Sequence, residues 1–123
     1  MDGPPRDLKK RTKEFALRII RLVASLSRSM EAQVIGRQLL RAGTAVGANF
    51  REALRSRSKS EYASKMNIGL MELEESCYWL ELLEESGVMK SPETAALQLE
   101  GNELSAIFVT MIRKARDGAA RGS

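Results

Sequence analysis

The sequence predicts an all-α, antiparallel, up-down-up-down four-helix bundle, and three observations carry that reading. Apolar residues recur at helical spacing in four segments of about 20–27 residues, each roughly 30–40 Å long. No strand-like alternation persists, and no internal repeat occurs. The three prolines lie near helix starts or the N-terminus, where they interrupt nothing. Three short connections make successive helices antiparallel neighbours. With 123 residues, 43% of them hydrophobic, the chain has the length and apolar content of one domain with a buried core.

Residues 1–6 and 117–123 are expected to be flexible ends, and residues 7–116 to form the bundle. The first helix runs from about Asp7, a candidate N-cap, to Ser27. Its apolar stripe is Leu8, Phe15, Ile19, Leu22 and Leu26. The second runs from about Glu31 to Arg55, with a core stripe of Ile35, Leu39, Ala42, Val46, Phe50 and Ala53. Gly36, Gly43 and Gly47 each cost a helix roughly 1 kcal/mol relative to alanine, so a close helix–helix approach is expected there. The third runs from Ser60, a candidate cap, to about Ser86, with Gly87 placed to end it. Its core stripe is Met66, Leu70, Leu73, Cys77 and Leu80. The fourth opens with Ser91-Pro92-Glu93: a cap, a proline at the first helical position and an acid in the first turn. It continues to about Arg116, with Leu97, Leu104, Phe108, Met111 and Ala115 facing inward.

Net charge is +4, but its distribution says more. Residues 1–65 hold fifteen Lys or Arg against six Asp or Glu; residues 66–123 hold five against ten. A basic half and an acidic half attract each other, within one bundle or between copies. One face of the second helix collects Arg37, Arg41, Thr44, Ala48, Arg51 and Arg55 at alternating steps of four and three. Arg37, Arg41, Arg51 and Arg55 are candidate contacts to nucleic-acid phosphates, because the planar guanidinium fork suits phosphate without reading sequence. Lys9, Lys10, Arg11, Lys13, Arg57 and Lys59 extend that patch. The competing reading pairs these arginines with glutamates of the third helix, or buries them in a subunit interface. No aromatic residue interleaves with the basic ones, which gives base stacking little support.

The third helix carries a second apolar stripe, Ile68, Met71, Trp79 and Leu82, opposite its core stripe and broken by Glu75. A lone bundle asks one apolar face of each helix, so this stripe is a candidate oligomer interface. Asn49, at the margin of the second helix's core stripe, is a candidate structural polar residue that fixes helix register. Cys77 reads as an inert buried thiol and, as the one cysteine, leaves no intrachain disulfide.

The chain has no histidine, which removes the commonest general acid–base and metal ligand. Cys–His nucleophilic chemistry and the usual zinc sites go with it. Gly43-Thr-Ala-Val-Gly47 lacks the Lys-Ser/Thr of a phosphate-binding loop. Di-iron bundles need Glu-x-x-His pairs, so the glutamates of the third helix read as a solvated or salt-bridged face rather than a metal site. No enzymatic activity and no cofactor are expected. Neither a signal peptide nor a membrane-spanning run is visible, and a cytoplasmic location is expected.

The segment Gln38-Leu-Leu-Arg-Ala-Gly-Thr-Ala-Val-Gly-Ala-Asn-Phe-Arg-Glu-Ala53 resembles the signature of the "four helix bundle protein" family, also called the 23S rRNA intervening-sequence protein family. Gln38, Leu39, Arg41, Ala42, Val46, Asn49, Phe50 and Glu52 carry the match, with Ser60-Glu-Tyr, Met71-Glu-Leu-Glu-Glu-Ser and Tyr78-Trp-Leu-Glu-Leu following. The likeness covers roughly residues 8–116. It departs from the family at Glu52-Ala-Leu-Arg-Ser-Arg57, where many members read Glu-Gly-x-Gly-Arg, and at Thr44. The resemblance implies a homopentamer of antiparallel four-helix bundles. A related branch comprises accessory proteins of diversity-generating retroelements, basic pentamers that bind a reverse transcriptase and nucleic acid. The function expected is therefore a non-catalytic, self-assembling bundle with a nucleic-acid-associated (RNA or DNA backbone) or scaffolding role. The alternative is a protein-interaction module whose arginines meet its own acidic surfaces or an acidic protein partner.

Overall fold

The computed structural model describes residues 4–122, with side chains over residues 8–118. Four helices follow one another: α1 (Pro4–Ala24), α2 (Met30–Leu54), α3 (Lys59–Glu85) and α4 (Pro92–Gly122). Helix thus occupies residues 4–6 and 117–122, which the sequence reading assigned to the ends; residues 1–3 and Ser123 lie outside the described residues. No strand occurs among the described residues.

Local chemistry sets the boundaries. α1 stops at Ala24 rather than Ser27 because the Ser25 hydroxyl donates to the Leu22 carbonyl at 2.7 Å, diverting an acceptor at the helix end. Ser29 caps α2 by accepting from the Ala32 N–H. The cap of α3 is Ser58, not Ser60: its hydroxyl accepts from the Glu61 N–H at 3.0 Å, while Glu61 reaches back to the Arg57 N–H. Gly87 ends α3 at φ +80°, a conformation that costs glycine little. Ser91 and Thr94 exchange backbone and hydroxyl hydrogen bonds ahead of α4, with Pro92 in its first turn.

The helices form a ring in chain order. α2–α3 and α3–α4 share the broadest seams, α1–α2 a narrower one, and α1–α4 closes the ring most thinly. The centre is filled by Phe15, Phe50 and Phe108 with Leu8, Ile19, Leu39, Leu73 and Leu97, all fully buried. Phe50 and Phe108 meet across the middle with ring centroids 6.0 Å apart. The α2 glycines lie where α1 comes closest. A Cβ on Gly43 would sit 2.4 Å from Ile19 Cδ1, and one on Gly36 would sit 2.9 Å from Leu26.

α3 departs from the sequence reading in detail. Its inward residues are Ala63, Met66, Gly69, Leu73, Ser76, Leu80 and Leu83. Leu70 and Cys77 are only half-buried, at the margin. Gly69 and Ser76 take the central positions because Phe108 presses on the backbone at Gly69, and Ser76 satisfies its hydroxyl on the Glu72 carbonyl.

Candidate polyanion interface

α2 holds its arginines in one row because the opposite side of the helix is fixed in the core by Leu39, Val46 and Phe50. From Arg37 to Arg55 the row runs about 27 Å along the helix. The structure divides it into two parts.

The middle of the row is paired. Arg41 Nη2 lies 2.6 Å from Glu75 Oε2, and Arg41 Nη1 lies 3.3 Å from Glu72 Oε1, across the α2–α3 seam. Glu75 also accepts from the Trp79 indole N–H at 3.0 Å. The indole bond and then the guanidinium hold the Glu75 carboxyl below its usual range, and the two carboxylates hold Arg41 above its own. Glu72 Oε1 is buried, and its approach to Arg41 is an ion contact without hydrogen-bond geometry. Arg41, half exposed, thus pairs with glutamates of the third helix within the chain.

Arg37, Arg51 and Arg55 make no ion pair with any described side chain. Arg37 stands apart, toward the α2 N-terminus and near the exposed Val34 and Met30. Arg51 lies in the last turn of α2 and Arg55 caps its C-terminus, and antiparallel topology gathers further cations at that end. Lys9, Lys10 and Lys13 come from the start of α1, Arg57 and Lys59 from the α2–α3 connection, and Arg113, Lys114 and Arg116 from the last turns of α4. The other end of the bundle carries Glu81, Glu84 and Glu85 of α3 and Glu93 of α4. That end also holds Arg21, Arg28 and Lys90, so one end of the bundle is strongly basic and the other is mixed. The α4 cations were missed in the sequence reading; their signal was chain order alone, since the C-terminus of the fourth helix must return to the end where the second finished.

Arg11, placed in the patch by sequence, is bound elsewhere. It grips Glu100 through Nε and Nη2 at 3.0 and 2.8 Å, and reaches Glu103. Arg18 holds Glu93 the same way at 2.8 and 3.1 Å. Both pairs cross the thin α1–α4 seam, so part of the attraction between the basic and acidic halves acts within one chain.

The outer stripe of α3 is uneven. Ile68 and Met71 are exposed, Met71 by 58%, whereas Trp79 and Leu82 are half-buried, with Trp79 packed on the core edge. Tyr78, absent from the sequence-derived stripe, is exposed and lies 5.1 Å from Trp79. Its position follows from the spacing 68, 71, 75, 78, 82. Asn49 donates to the Ala45 carbonyl of its own helix at 2.9 Å and makes no side-chain hydrogen bond to a described residue of another helix. The Cys77 thiol, 3.9 Å from Asn102 Oδ1, is pushed up by burial.

Among the described residues, no three Cys, Asp or Glu side chains come together as a metal would require. No described helix is long and apolar enough to cross a membrane.

The family profile described as "23S rRNA-intervening sequence protein" matches residues 6–110. No curated protein matches the chain. Among solved structures, it is similar to a protein of unknown function from the S23 ribosomal protein family of Bacteroides thetaiotaomicron VPI-5482. The two are 34% identical with a TM-score of 0.79, over 85% of this chain and 96% of that one.

Proposed function

We propose that this chain, which belongs to the 23S rRNA-intervening sequence protein family, is a non-catalytic, self-assembling cytoplasmic bundle that binds the backbone of RNA or DNA through one end. The observation that carries this reading is the sorting of its cations. Arg11, Arg18 and Arg41 are neutralised by carboxylates of the same chain, whereas Arg51 and Arg55 meet no described carboxylate and join Arg57 and Lys59 at the basic end. Cations without local partners attract phosphates from any sequence.

Self-assembly, with a pentamer as the family resemblance implies, is supported by the exposed apolar side chains Ile68, Met71 and Tyr78 along α3. A second reading, a scaffold binding an acidic protein, draws on the Arg41 pairing with Glu72 and Glu75: the same row already recognises carboxylates on a helix. A reverse transcriptase is one partner class that the resemblance implies.

Light scattering and titration with a structured RNA, between about 50 and 200 mM salt, test the proposal. Affinity should fall steeply with salt. The pair Arg51→Ala and Arg55→Ala should flatten the slope of log affinity against log salt by about 2 while the particle mass stays constant. Met71→Glu should reduce that mass. Absence of RNA binding at low salt, or collapse of the assembly in the arginine variant, overturns the nucleic-acid reading.

A further inference from the structure

A groove of about 600 Å³ opens at the basic end, between the start of α3 and the last turns of α4. Its wall is apolar: Tyr62 of α3 faces Ile107, Met111 and Ala115 of α4. Those three α4 positions repeat every four residues, so they form a continuous strip about 12 Å long. Lys59 and Lys114 also line the groove, both exposed. No described lining residue is acidic.

We propose that this groove binds a medium-chain alkyl carboxylate, its tail along Ile107 and Met111 and its headgroup at Lys59 and Lys114. The volume suits a small molecule held mainly by apolar walls with a few polar groups fixing its orientation. The charge fits as well: two ammonium groups border an apolar trough that offers no counter-charge of its own, which is the pattern complementary to an anionic amphiphile. The Tyr62 hydroxyl makes no hydrogen bond to a described residue, and burial keeps the phenol neutral, so it is available as a donor to the headgroup. A phosphate chain of a nucleic acid uses the exposed cations around this end but has nothing to place against Ile107 and Met111. The site shares Lys59 and Lys114 with the polyanion interface and differs from it by the apolar strip.

Calorimetric titration of the full chain, without nucleic acid, tests the proposal with octanoate, decanoate and dodecanoate below their micelle concentrations and with 1-decanol as the neutral comparator. One site per chain is expected, with affinity rising about two- to fourfold per added methylene. The double variant Lys59→Ala, Lys114→Ala should weaken decanoate about tenfold while leaving decanol unchanged. Met111→Glu, with its helical content verified by circular dichroism, should abolish binding of all three acids. Lack of saturable decanoate binding, or equal binding by the lysine variant, overturns the proposal. So does a Met111→Glu protein that breaks the assembly when the wild type binds no decanoate, since the groove is then a subunit contact.

Discussion

α1 is attached to its two neighbours in different ways. Against α2 it fits by shape: Ile19 and Thr12 settle over Gly43 and Gly47, and Val23, with Leu26 just past the helix end, over Gly36, with little room for even one added carbon. Against α4 the contact is thinner and bridged by charge: Arg11 and Arg18 grip Glu100, Glu103 and Glu93 beside Phe15, which packs on Gly101. The first attachment is indifferent to pH and salt. The second is sensitive to both, because its ion pairs are partly exposed.

The largest effect comes from forcing the shape-fitted seam. Gly43→Val places carbon against the buried Ile19, where Cγ2 and Cβ as well as the side-chain tip stand in the way. A loss of about 3 kcal/mol is expected, read as a lowered denaturation midpoint and unchanged between pH 4 and 7. A midpoint within error of wild type means that α1 rides free of α2.

A smaller effect, with a different dependence, follows from Arg18→Ala. The arginine bond holds the Glu93 carboxyl below its ordinary value. A carboxyl depressed in the folded state contributes stability above its unfolded value, near about 4.3, and that contribution fades as pH falls through the folded value. The variant should lose up to about 1 kcal/mol at pH 7 and converge on wild type in acid. A cost that persists undiminished at low pH points to lost packing of the arginine stem instead.

The smallest effect belongs to Lys65→Ala, which removes a pair with Glu52 on the broad α2–α3 seam. With Glu52 half exposed, no more than about 0.5 kcal/mol is expected in urea unfolding. A loss matching that of Arg18→Ala cancels the distinction between a seam that relies on charge and one that merely carries it.

The bundle itself was legible in the sequence because long amphipathic segments with clear stops leave few other arrangements. The core details missed on α3 share one cause, which is that an apolar pattern does not register small residues. On α3 the inward line passes through Gly69, where Phe108 comes close, and Ser76, which is buried with its hydroxyl satisfied on its own helix. The arginine row was visible as a row, yet its division was not. Whether Arg41 is free depends on Glu72 and Glu75 lying opposite, a fact of helix register rather than of either helix alone. The basic end was half visible, since Arg113, Lys114 and Arg116 lie far along the chain from Arg51 and Arg55 and meet them only through topology.

The charged seam also sets an order of events in synthesis. Arg11 and Glu100 lie 89 residues apart, whereas every other helix pairing joins chain neighbours. Local pairings close small loops and form quickly; the closing contact spans nearly the whole chain. During translation α1 emerges first and its second neighbour last. For most of that interval α1 is sheltered on one side only, by the glycine-lined face of α2. The side awaiting α4 bears Phe15 together with the Arg11 and Arg18 guanidinium groups, whose carboxylate partners are made last.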